Sequence, residues 1–191
     1  MAILKTVGLA GAISVILMTF AMTASATRFT SPAGTLYTGT IKAESTNLTL
    51  TNSSTIGTIS CGKSLAEGTN NSHGVGVTDI VIVTNWWITS CTGGESTHST
   101  QRGSWEFHLT TAPNGTWTSN GWVWTIHKTI VGTCTFATKN TDLGTFKGGT
   151  PAKLEIGSSP IPQESGNFFC PSSATLSGTY TITSPGTLVA S

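Results

Sequence analysis

The chain has 191 residues, of which 9 are Lys or Arg and 8 are Asp or Glu; only 9% are charged, against the roughly 25% usual in soluble domains. Nucleic-acid binding and electrostatic attachment to anionic lipid both need clustered basic side chains, so neither is expected. So few charges, with 22 Gly and many Thr and Ser, also exclude a mainly helical protein, whose solvated faces draw on Glu, Lys and Arg.

In chain order, Lys5 precedes an apolar stretch over residues 6–22, and Ala24-Ser25-Ala26 follows with the small-x-small pattern of a signal-peptidase site. The expected organisation is a signal peptide over 1–26 and a single β-sandwich domain over 27–191, a length suited to one domain. Past the cleavage site the acidic and basic side chains balance and no second long apolar run occurs. No membrane span is therefore expected after signal cleavage, and the destination is secretion or the cell surface.

Short runs of Thr, Val, Ile and aromatic residues then alternate with Gly, Asn, Ser and Pro clusters. This spacing predicts strands near 36–42, 47–52, 55–61, 74–84, 86–91, 104–110, 121–128, 132–137, 145–147, 152–156 and 174–183. The fold class expected is all-β, an antiparallel two-sheet β-sandwich of immunoglobulin-like or jelly-roll-like type. One helical turn is expected at 64–67, and the flank 27–34 and the Gly-Ser-Pro-rich stretch 157–167 read as the loosest segments.

Trp105, Phe107 and Leu109 share one strand face with Glu106 and His108 opposite, and Trp122, Trp124 and Ile126 repeat the pattern. Between them Thr111-Ala112-Pro113-Asn114-Gly115 is turn chemistry, so 104–109 and 122–126 are expected to form a hairpin. In the last strand Leu176, Tyr180 and Ile182 share a face, with Gly178 marking a bulge or a close approach. The expected core includes Trp105, Phe107, Trp122, Trp124 and Tyr180.

The four Cys, at 61, 91, 134 and 170, all follow the signal segment. An even number in an exported chain points to two disulfides, and the favoured pairing joins sequence neighbours, Cys61–Cys91 and Cys134–Cys170. No C-x-x-C pair is present, and no metal site or other cofactor is expected.

Catalysis has little to draw on. The histidines are His73, His98, His108 and His127 and the aspartates Asp79 and Asp142, with no G-x-S-x-G elbow. His98 sits in a polar stretch that reads as a solvated loop. Glu106 and His108 share a face, and a metal fragment with His127 would form only if a hairpin aligned them. Trp86 and Trp87 are adjacent, so within a strand they point to opposite sides. One of them is the candidate for an exposed ligand-binding platform.

Three short motifs stand out: Gly57-Thr58-Ile59-Ser60-Cys61, Gly132-Thr133-Cys134-Thr135-Phe136, and Leu176-Ser177-Gly178-Thr179-Tyr180-Thr181-Ile182. With the signal segment, this layout resembles short secreted bacterial four-cysteine β proteins. That resemblance covers most of the chain after the signal and implies no catalytic residues. The function expected is a secreted, non-enzymatic structural or adhesive surface protein that associates with itself. The alternative is an extracellular carbohydrate-binding module using an exposed Trp. The partners considered are accordingly a second copy of the chain or a cell-surface glycan.

Overall fold

A computed structural model describes residues 28–32, 34–52, 55–70, 78–93, 96–101 and 103–191. The expected signal peptide, His73 and Glu95 lie outside them, as do residues 74–77 of one expected strand. The described regular structure is entirely β: β1 (Phe29–Thr30), β2 (Thr40–Ser45), β3 (Leu48–Asn52), β4 (Gly57–Asn70), β5 (Thr78–Thr92), β6 (Ser96–Gln101), β7 (Ser104–Thr111), β8 (Asn114–Ser119), β9 (Trp122–Lys128), β10 (Gly132–Ala137), β11 (Thr141–Lys147), β12 (Lys153–Gly166), β13 (Ser173–Ser184) and β14 (Val189–Ala190).

Several of these segments are collinear. β2 pairs with β4 as far as Ser45↔Ser64, and β3 resumes the same register at Leu48↔Cys61, so the two are one long strand interrupted at Thr46 and Asn47. β8 pairs with β11 at Thr141↔Ser119 and β9 with β10 at Ala137↔Val123, which makes β8/β9 and β10/β11 another long hairpin. β6/β7 runs beside β8/β9 in the same way, with Gln101↔Trp122 and Trp105↔Ser119 on either side of the interruption.

One layer is therefore β13, β2/β3, β4 and β5, and the other is β6/β7, β8/β9, β10/β11 and β12. All ladders are antiparallel, and the layers are joined at their margins by β12–β13 and by β5–β7. The sandwich is thus one large sheet closed on itself. Closure removes the unpaired edges that otherwise invite strand addition. Among the described strands of this sheet, the second half of β5, β6 and the middle of β12 carry a ladder on one side alone, and the first two lie next to each other.

A small second sheet, β1 with β14, ties the ends of the described chain together through Phe29↔Ala190. The buried Asp79 carboxylate accepts the Phe29 N–H at 2.7 Å. The flank expected to be loose is therefore anchored, and Phe29 itself is fully buried against Phe107 and Phe146.

Alternation along the strands fills the space between the layers. Trp105, Phe107, Trp122, Trp124 and Tyr180 are all buried there, as expected, and Trp86 and Trp117 join them. The rings meet edge-on or tilted, with Trp86–Trp122 centroids at 4.1 Å and Trp105–Trp117 at 5.2 Å. Such pairs add about 0.5–1.5 kcal/mol beyond burial. Both disulfides form as expected, Cys61–Cys91 across β4 and β5 and Cys134–Cys170 from β10 to the turn before β13. Gly178 lies where β13 moves from β3 to β2; a Cβ there would meet Asn47 O and Leu48 Cα at 3.1 Å.

Four further expectations are corrected. Residues 64–67 form no helical turn but lie within β4, where Ser64 and Ala66 point inward and pair with Ile88 and Trp86. The partner of β7 is β8, not 122–126; Thr-rich β8 has only Trp117 as a large apolar signal, while Trp122 and Trp124 lie further along the same long strand. The stretch 157–167 is strand through Gly166: Ile161 points inward, and Pro160 and Pro162 pair with β13. Between Ile156 and Gln163 β12 has no ladder on its other side, so prolines without an N–H interrupt nothing there. His98 belongs to strand β6 rather than a loop, with its backbone opposite Thr125.

Candidate functional site

The two adjacent tryptophans separate as their positions require, and a bulge decides which one faces out. In β5, Val81 and Val83 point inward; then Glu67 pairs with Asn85 while Gly68 pairs with Val83, leaving Thr84 as an extra residue. The extra residue reverses the phase of alternation. Beyond it Trp86 and Ile88 are buried, and Trp87 is 41% exposed. Gly68 permits the close crossing, because a Cβ there would meet Ile82 O at 2.7 Å and Val81 Cγ1 at 2.8 Å.

Trp87 ends a row of side chains in register across five strands: Lys153, Thr181, Glu44, Leu65 and Trp87. Along the next row Lys42 and Glu67 form an ion pair at 3.4 Å. Trp87, Leu65, Glu44, Lys42 and Glu67 line a shallow depression of about 210 Å³. A neighbouring depression of about 390 Å³ shares Glu44 and continues over Asn47, Lys153 and Thr179. A third, of about 350 Å³, shares Thr46 and Asn47 and reaches Ser60 and Ser90. The outer face of β13, β2/β3, β4 and β5 is thus a chain of shallow troughs with one flat aromatic at its margin.

Chemically this face offers a π surface, hydroxyls and opposed charges. The Lys42–Glu67 pair is solvated, and such pairs add little to stability. On the neighbouring strands β11 and β12 of the other layer Lys147 meets Glu155 at 2.8 Å, and its hydrogen bond holds the Glu155 carboxyl below the usual carboxylate range.

The polar centre of the molecule lies inside. Trp86 Nε1 donates to Ser64 Oγ at 3.1 Å and to Tyr180 Oη at 3.0 Å, and the two hydroxyls are 2.5 Å apart. Burial raises the Tyr180 pKa, and its two hydrogen bonds offset only part of that rise. The phenol is neutral and enclosed, so this triad positions Trp86 and offers no reactive group to solvent.

Among the residues weighed for catalysis, Glu106 and His108 lie 3.7 Å apart on the outside of β7. His127 stands at the far end of the neighbouring long strand, beside Thr133, so the register does not bring it to them. Among the described residues no group of three or more His, Cys, Asp or Glu is placed to hold a metal ion.

Sequence reasoning named Trp86 and Trp87 but missed Leu65, Glu44, Lys42 and Glu67. Alternation within 64–67 would have found the outward pair Leu65 and Glu67 had that stretch been read as strand. Comparison of the chain with protein-family models, with curated proteins and with solved structures finds no match in any of the three.

Proposed function

We propose that this is a secreted, non-catalytic adhesive protein of the bacterial surface and that it holds a neutral glycan on the outer face of β13, β2/β3, β4 and β5. The observation that carries the reading is Trp87, exposed beside Leu65 at the margin of connected troughs lined with hydroxyls and with carboxylate and ammonium groups. A sugar ring presents an apolar face and a rim of hydroxyls, which suits an aromatic platform flanked by hydrogen-bonding side chains. The trough beside Trp87 is smaller than the ~300–1,000 Å³ of an enclosed small-molecule pocket. It suits one ring of a longer chain lying across the surface. Two disulfides fit an oxidising compartment outside the cytoplasm.

Self-association through strand edges, the first route suggested by the composition, would be confined mainly, among the described strands, to the one-sided stretches of β5, β6 and β12, because closure of the large sheet pairs most of the rest on both sides. Adhesion through a face remains open to this fold.

Retention on a panel of insoluble polysaccharides tests the reading. The protein should be retained by at least one of them, and Trp87→Ala should weaken retention at least tenfold without lowering the thermal midpoint by more than a few degrees. Replacing Glu106, His108 and His127 with Gln, Asn and Asn should leave retention intact. No retention of the unaltered protein on any member, or equal retention of the Trp87→Ala variant, overturns the proposal; hydrolytic turnover lost in the triple variant overturns its non-catalytic part.

A further inference from the structure

The end of the molecule opposite β1 and β14 carries apolar side chains that are largely exposed. Ile130, in the turn from β9 to β10, is 91% exposed, and Phe168 and Phe169, in the turn from β12 to β13, are 88% and 53% exposed. The two turns are neighbours, since Asn167 Nδ2 donates to Val131 O at 2.8 Å. The Phe168 and Phe169 rings lie 4.2 Å apart, centroid to centroid.

This turn is held in place. Asn167 Oδ1 accepts the Phe169 N–H at 2.9 Å, its carbonyl accepts the Cys170 N–H at 3.0 Å, and Cys170 is bonded to Cys134 of β10. The chain thus fixes two phenylalanines outward instead of folding them onto the nearby core. Neither 129–133 nor 165–173 contains a charged residue. Lys128, at the end of β9, directs its ammonium inward to the Ile56 carbonyl.

We infer that this end is a membrane-contact surface, whose Ile130, Phe168 and Phe169 insert into the interfacial region of a lipid bilayer. Two arguments favour lipid over a protein partner. An aromatic side chain offers roughly 200 Å², so the three tips expose about 450 Å², near half of the ~800 Å² per partner in a stable protein interface. They also stand on convex turns, which a deformable bilayer accepts without the complementary hollow that a protein would have to supply. With no basic cluster at this end, attachment rests on apolar insertion and not on lipid charge.

The test is flotation of the secreted protein with vesicles of neutral phosphatidylcholine, alone and with added anionic phosphatidylglycerol. The protein should float with both, at low and high salt alike. Phe168→Ser combined with Phe169→Ser should reduce the bound fraction at least tenfold while the thermal midpoint and both disulfides are kept. Because these side chains are outside the core, this variant should fold; Ile130→Ser supplies a second, independent loss. Protein that stays in the dense fraction, or a double variant that floats as well as the original, overturns the inference. So does a lipid-free dimer in sedimentation that the double variant abolishes, which would assign this end to a second copy of the chain.

Discussion

Replacing Trp86 and Trp105 separately with Phe isolates the worth of the buried polar triad. Both tryptophans are buried in the same aromatic cluster and both meet another indole edge-on. Since a whole Trp→Ala truncation costs about 3–5 kcal/mol, trimming the indole to phenyl costs about 1–2 kcal/mol at either site. Their N–H groups differ. Trp86 Nε1 has two acceptors, whereas Trp105 Nε1 is buried with none. Trp86→Phe therefore also loses the one N–H donor that these two hydroxyls share, worth about 1–1.5 kcal/mol, for a total near 2–3.5 kcal/mol. Trp105→Phe removes an unsatisfied donor whose burial costs about 1–3 kcal/mol, which offsets the lost packing and leaves a change within about 1 kcal/mol of zero. Urea unfolding of the oxidised protein, with the slope unchanged between variants, gives both values. Equal losses, or a larger loss for Trp105→Phe, would refute the claim that hydrogen bonding rather than ring volume fixes Trp86.

Other expectations follow from the same geometry. Trp124→Ala should cost about 3–5 kcal/mol in urea unfolding, because Trp124 is fully enclosed. Peptide mapping of an unreduced digest should recover only Cys61–Cys91 and Cys134–Cys170, and removing either bridge should cost about 3–4 kcal/mol by the chain-entropy argument for loops of 30 and 36 residues. Above its ordinary pKa of 10.0 the Tyr180 phenol ionises in the unfolded chain but stays protonated in the folded one. The unfolded state then binds fewer protons, so stability is full below about pH 10 and falls as pH rises beyond it. Tyr180→Phe should flatten that alkaline slope in pH-dependent urea unfolding. Lys147→Ala should raise the Glu155 pKa measured by NMR titration, since the lysine is the first cause of its depression.

The outer face shows how far the sequence reaches into function. That Trp86 and Trp87 part company is a local fact of strand geometry and is legible in the residues alone. The companions of Trp87 are legible only with the register, because Leu65 and Glu67 come from β4, Glu44 and Lys42 from β2, and ladders bring them beside it. The apolar end has a weaker signal in Phe168-Phe169. Two phenylalanines beside a cysteine read equally well as core, and only the turn that holds them shows them facing outward.

The sequence by itself determined the all-β class and the main residues of the aromatic core, and it favoured the disulfide pairing that the structure shows. Charge scarcity and period-two alternation act within a few residues, and four cysteines allow only three pairings. Tertiary structure alone decided three further matters: that 114–119 pairs with 104–111, that β12 runs on through its prolines, and that Trp87 rather than Trp86 faces solvent. Each depends on a partner far along the chain. The phase of the tryptophans is set by one unpaired residue, Thr84, opposite a glycine in β4, and alternation read along β5 alone has no means of locating it. A bulge is a property of two strands together, so it becomes definite only when the ladder between them forms.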